Sequence, residues 1–156
     1  MKYILIIFSL FSNCLFASGV GSILRPGMSQ ENIEKAIEHF KIKIPSNVKK
    51  IYLNLDLNER GMTYLKSFMG YYTVAIGPSA FSSWAILGST IAHEVEVHCN
   101  QSLSLYAVFN YVGFDKIIKS AEYDAYSYEI DNAYRFGLKD SEIEEIEKVR
   151  DYYYGI

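Results

Sequence analysis

Tyr71-Tyr72-Thr73-Val74-Ala75-Ile76-Gly77-Pro78-Ser79-Ala80-Phe81-Ser82-Ser83-Trp84-Ala85-Ile86-Leu87-Gly88-Ser89-Thr90-Ile91-Ala92 carries no charged side chain, and the uncharged run reaches back to Ser67. Its length suggests a membrane span, which needs about 20 apolar residues. Gly70, Gly77, Pro78 and Gly88 interrupt it, however, and Ser82, Ser83, Ser89 and Thr90 are spread through it. Residues 71–76 instead predict a buried strand that Gly77-Pro78 ends. A buried helix follows, starting near Ser82 and running through Trp84, Ile86, Leu87, Ile91 and His93 to about Gln101.

The flanks supply the remaining elements. Ser29 opens a helix with acidic residues in its first turn and Ile33, Ile37 and Phe40 on one face. Pro45-Ser46-Asn47 breaks the chain, and the alternation of Ile51 to Leu55 reads as a strand. A long helix is expected from about Phe114 to Phe136, with Gly137 as its C-terminal stop. A last helix begins near Ser141, with Glu144 at capping-box spacing. Helix, strand, strand and three helices make a small α+β domain.

The chain has 156 residues, room for one core. Half the residues are hydrophobic and 21% are charged, a globular balance that excludes intrinsic disorder. Fifteen Lys and Arg against eighteen Asp and Glu leave a net charge of -3. There is no basic field to neutralise phosphates, so no nucleic-acid partner is expected. Met1-Lys2, the apolar Tyr3–Phe11 and the small residues up to Ala17 read as a signal peptide over residues 1–17. Residues 18–156 are then one exported domain, periplasmic or secreted, with no membrane span. Of the two cysteines, Cys14 leaves with the signal, and Cys99 is expected as a buried thiol without an internal partner.

Chemistry concentrates in Thr90-Ile91-Ala92-His93-Glu94-Val95-Glu96-Val97-His98-Cys99-Asn100-Gln101. Two imidazoles at the end of an uncharged helix, with a carboxylate beside the first, resemble the zincin motif H-E-x-x-H. There the imidazoles bind Zn²⁺ and the Glu polarises a water. This chain has H-E-x-x-x-H. In a regular helix, residues five apart differ by about 140° around the axis, so His93 and His98 would diverge. A π-bulge between Glu94 and His98 absorbs the extra residue and restores convergence. If the helix stays regular, Glu94 and His98 become the ligand pair, with His93 behind them.

A third ligand is expected from the helix after residue 114. Glu122 and Glu129, seven residues apart, share the flank of its apolar face, whereas Asp124 projects to the polar side. Glu122 ranks first, with Glu129 or Asp124 as replacements. Tyr106, Tyr126 and Tyr128 are candidate hydrogen-bond donors to an oxyanion, and Asn100 and Gln101 are candidates to orient the ligands.

Glu122-Tyr123-Asp124-Ala125 is similar to the E-x-x-A element of gluzincin peptidases. With His93-Glu94 upstream and the run on to Leu138, residues 74–154 resemble the metallopeptidase domains at the C-termini of RHS-type polymorphic toxins. The resemblance implies a zincin-like fold, His93, His98 and Glu122 as Zn²⁺ ligands, Glu94 as general base and a peptide or protein substrate. The inserted residue before His98 departs from the family pattern. A non-catalytic protein that binds metal or a partner on the same scaffold is the alternative.

Overall fold

The computed structural model describes residues 25–66, 70–101 and 114–154. The expected signal peptide lies outside them. The first helix, α1 (Gln30–His39), starts where expected, because the Ser29 hydroxyl accepts the Asn32 N–H at 3.2 Å. It buries Ile33 and Ala36. Its end is closed by Lys41 at φ 52°, with the Ile42 N–H bonded to the Ile37 carbonyl. That left-handed closure usually falls to glycine.

Three strands form one sheet in the order β1 (Val48–Leu53), β3 (Tyr71–Ile76), β2 (Gly61–Lys66). β1 runs parallel to β3, and β2 runs antiparallel to it. Central β3 buries Val74, Ala75 and Ile76 completely. β1 begins three residues earlier than the alternation suggests and ends at Leu53. β2 is not expected from the sequence at all. Met62 and Thr63 are both buried although they point to opposite faces, so the strand lacks the polar–apolar alternation that marks a half-exposed one.

The uncharged run folds as β3, a 3₁₀ turn (Pro78–Ser82) and α2 (Trp84–Ala92). Ser83 caps α2 by accepting the Ile86 N–H at 3.0 Å. Every residue from Ala85 to Ala92 is buried. One side of α2 meets α1, β3 and Phe136 through Leu87, Ile91 and Ala92. Its Ile86 joins Tyr126, Ile146 and Tyr153 in a second cluster. At Gly88 a Cβ would lie 2.3 Å from the Phe40 ring, so glycine lets α1 close onto α2. Among the described residues no helix is long and apolar enough to cross a membrane.

The C-terminal half is helical. The single helix expected over residues 114–136 breaks at Asn132 into α3 (Phe114–Asp131) and α4 (Ala133–Phe136), and Gly137 at φ 70° stops α4 as expected. The last helix, α5 (Asp140–Tyr154), is capped by Glu142 rather than Glu144. The Glu142 carboxylate accepts the Lys139 N–H at 2.8 Å and the Ser83 hydroxyl at 2.6 Å, tying the starts of α5 and α2 together. The architecture is therefore α+β, as the sequence implies.

Candidate metal centre

The helix begun at Trp84 does not stay regular. Residues His93–His98 form a π-helix continuous with α2. Just beyond them the Cys99 N–H bonds to the Glu94 carbonyl at 3.1 Å, five residues back rather than four. The widened turn stacks His93 and His98. Their Nε2 atoms are 3.0 Å apart, and the rings meet edge to face at 4.7 Å.

Glu122 arrives from α3. Its two carboxylate oxygens lie 3.6 Å from His93 Nε2 and 3.4 Å from His98 Nε2. One ligand atom from each of the three side chains lies within 4.8 Å of the others, close enough to hold a metal ion. Donors bonded tetrahedrally at about 2.0–2.1 Å stand about 3.3 Å apart, and the three separations straddle that value. All three side chains are buried, with exposures of 2%, 1% and 0%.

Hydrogen bonding dictates what faces inward. His93 Nδ1 is 2.8 Å from Glu129 Oε1, and His98 Nδ1 is 2.8 Å from Gln101 Oε1. Gln101 donates its amide to the Ala121 carbonyl at 3.2 Å, so its oxygen must accept from His98. Both imidazoles therefore carry hydrogen on Nδ1. In their neutral forms both Nε2 lone pairs then point at each other and at the Glu122 carboxylate, whose oxygens have no hydrogen-bond donor. Converging lone pairs in a buried site need a cation or additional protons between them. The donor set fits a divalent metal.

Charge supports the same conclusion. Burial lowers the His93 imidazole, but Glu122 and Glu129 outweigh it and raise the ring to about 10. His98 is also raised, against burial, chiefly by Glu122. Burial raises Glu122, yet His98 and His93 bring it down to about 2. The cluster thus draws positive charge to its centre. Three buried carboxylates, Glu94, Glu122 and Glu129, surround it, with Arg60 the one buried guanidinium among the described residues. Protons on the two imidazoles or a bound cation make up the difference.

Glu129 sits behind His93 rather than at the metal position. Arg60 Nη2 donates to its Oε1 at 3.0 Å in an ion pair sealed from solvent. Burial raises Glu129, but Arg60 and His93 together bring it to about 2. The Tyr126 ring packs edge-on to His93 at 4.7 Å and near the Arg60 guanidinium. These groups fix the plane of His93, as a carboxylate behind a metal-bound imidazole does.

Glu94 turns to the sheet. The Thr63 hydroxyl donates to its Oε2 at 2.7 Å. A Cβ on Gly61 would lie 2.6 Å from its other oxygen, so glycine on β2 leaves room for the carboxylate. Burial raises its pKa above the ordinary value, although His98 and His93 pull the other way.

The structure thus brings His93, His98 and Glu122 together, with Glu94 beside them and Glu129 behind. Asp124 is exposed, and Tyr106 lies outside the described residues. Tyr128 bonds to Glu96 on the opposite side of the helix. Gln101 orients His98, whereas Asn100 Nδ2 donates to the Glu96 carbonyl at 2.9 Å. Cys99 is a buried free thiol, pushed up to about 12 by burial. Arg60 and Thr63 were beyond sequence reasoning, because both sit in the unexpected β2 region and meet their partners 69 and 31 residues along the chain. The chain matches no family model, no curated protein and no solved structure.

Proposed function

We propose that this chain is an exported zinc-dependent hydrolase of the gluzincin type that cleaves peptide bonds. The observation that carries the reading is the convergence of two Nδ1-protonated imidazoles and an undonated carboxylate on one buried point. His93, His98 and Glu122 would hold the ion. Zinc bound to three such ligands polarises a carbonyl and lowers the pKa of water to about 7. Glu94 then accepts a proton from the attacking water as the new C–O bond forms. It returns that proton to the leaving amine as the C–N bond breaks. Its raised proton affinity suits both steps.

The depth of the site favours a second reading. Glu94 and the three ligands are all buried, which suits an ion kept for stability or for a partner on a zincin scaffold. The two separate under one experiment. Elemental analysis of purified protein, before and after chelation, is expected to find one zinc per chain, and a broad peptide library tests hydrolysis by wild type and Glu94→Gln. Failure of the chain to take up zinc on reconstitution overturns both readings. Stoichiometric zinc without turnover puts the non-catalytic protein ahead.

A further inference from the structure

We infer that Arg135 and Tyr128 are positioning residues of the metal centre. They clamp Glu96 and thereby hold residues 93–98 in the π register that brings His98 to His93. The inference rests on the metal-site reading above.

Glu96 lies in the π turn but bonds to groups other than the ligands, and three segments converge on it. The Lys43 N–H donates to Oε1 at 2.7 Å. Arg135 donates to Oε2 at 2.7 Å and to Oε1 at 3.1 Å, a two-pronged contact that only a guanidinium makes. The Tyr128 hydroxyl donates to Oε2 and itself accepts from Arg135 at 2.8 Å. Arg135 also donates to the Phe40 carbonyl at 2.9 Å and to that of Lys41 at 3.3 Å, where α1 turns through its left-handed residue. The Glu96 side chain is 11% exposed, so this is no loose surface pair.

Register links the clamp to the ligands. π-Helix is rare because α geometry is the better default. Were residues 93–98 to relax to α, the residues beyond the widened turn would rotate by about 100°. That rotation swings His98 away from His93, and Glu96, inside the turn, moves off Arg135 by part of it. Whatever stabilises the clamp therefore stabilises the converged imidazoles, and metal must in turn tighten the clamp.

The test measures Zn²⁺ and Co²⁺ affinity by chelator competition in wild type, Glu96→Gln, Arg135→Met, Arg135→Lys and Ile146→Val. Ile146 lies in the cluster that joins α2, α3 and α5, is itself no part of the metal centre, and controls for lost stability. Glu96→Gln and Arg135→Met are expected to weaken metal by about 10–100-fold. Their Co²⁺ absorption spectra should change as His98 leaves, and in the metal-free protein the NMR contact between the two rings should weaken. Arg135→Lys, which keeps the charge, should recover part of the affinity, whereas Ile146→Val should keep both affinity and spectrum. Wild-type affinity and spectrum in Glu96→Gln and Arg135→Met overturn the clamp. A wild type that takes up neither metal overturns the metal reading itself. Should Arg135→Met fail to fold, Glu96→Gln and Arg135→Lys decide.

Discussion

Glu94 and Glu96 stand two residues apart in one π turn and meet opposite surroundings. Glu94 is sealed against β2, where burial raises its pKa and the Thr63 hydroxyl holds one oxygen. Glu96 lines the wall of a cleft of about 650 Å³ with Lys43, Asn100, Tyr128 and Arg135. Burial raises it too, but Arg135, the Lys43 N–H and Tyr128 outweigh that and lower it. One carboxylate is thus ready to take a proton, and the other is a fixed anion that anchors the helix. The difference lies wholly in the neighbours, since residue type and helix are shared.

The inner face breaks first if its ligands are removed. His93→Ala, His98→Ala and Glu122→Gln are each expected to lose metal by more than the about 10–100-fold typical of a group behind a ligand. Asp124→Asn, on the exposed side of α3, should lose none. Dialysis followed by elemental analysis measures this. Stoichiometric metal in both histidine variants would show that the inner face is not a metal face.

Glu94→Gln sharpens the contrast within the turn. It preserves shape and removes the proton acceptor, so metal should remain while hydrolysis falls by about 10²–10⁴. Gly61→Ala should act in the same direction by displacing the carboxylate. Loss of metal from Glu94→Gln would make Glu94 a ligand instead.

Arg60→Met tests the support behind His93. It leaves Glu129 buried beside one imidazole, and removing one partner of a buried pair costs about 3–5 kcal/mol. Urea unfolding of metal-free protein reads the loss. An unchanged midpoint would mean that His93 alone suffices to hold Glu129.

The smallest effect expected is on pH dependence. Glu96 has a folded value below its ordinary 4.5. Its contribution to stability is therefore complete above that ordinary value and is lost as pH falls through the lower one. Glu94, raised on folding, acts oppositely, because the fold gains as it protonates. Stability measured from about pH 7 to about pH 3 should fall less steeply in Glu96→Gln than in wild type and more steeply in Glu94→Gln. Parallel curves for all three would deny the two carboxylates their separate surroundings.

Much of the frame was legible because it rests on local rules. The Ser29 cap, the strand ended by Gly77-Pro78, the buried helix after it and the Gly137 stop depend on near neighbours and on apolar periodicity. β2 was not legible, since both its faces are buried. The break at Asn132 and the shift of capping from Glu144 to Glu142 escaped because tertiary contacts choose among several adequate local residues.

The five-residue spacing of His93 and His98 by itself determined that a regular helix cannot aim both imidazoles at one point. Helical geometry is local arithmetic and needs no knowledge of the rest of the chain. Only the tertiary structure decided between widening the turn and changing the ligand pair, and the widened turn is what it contains. It also decided that Glu122 faces the Nε2 atoms while Glu129, seven residues on, stands at Nδ1 with Arg60. Helix periodicity puts both carboxylates on one flank. Which atom each one meets depends on side chains brought from 24 to 69 residues away, and no local pattern encodes those distances.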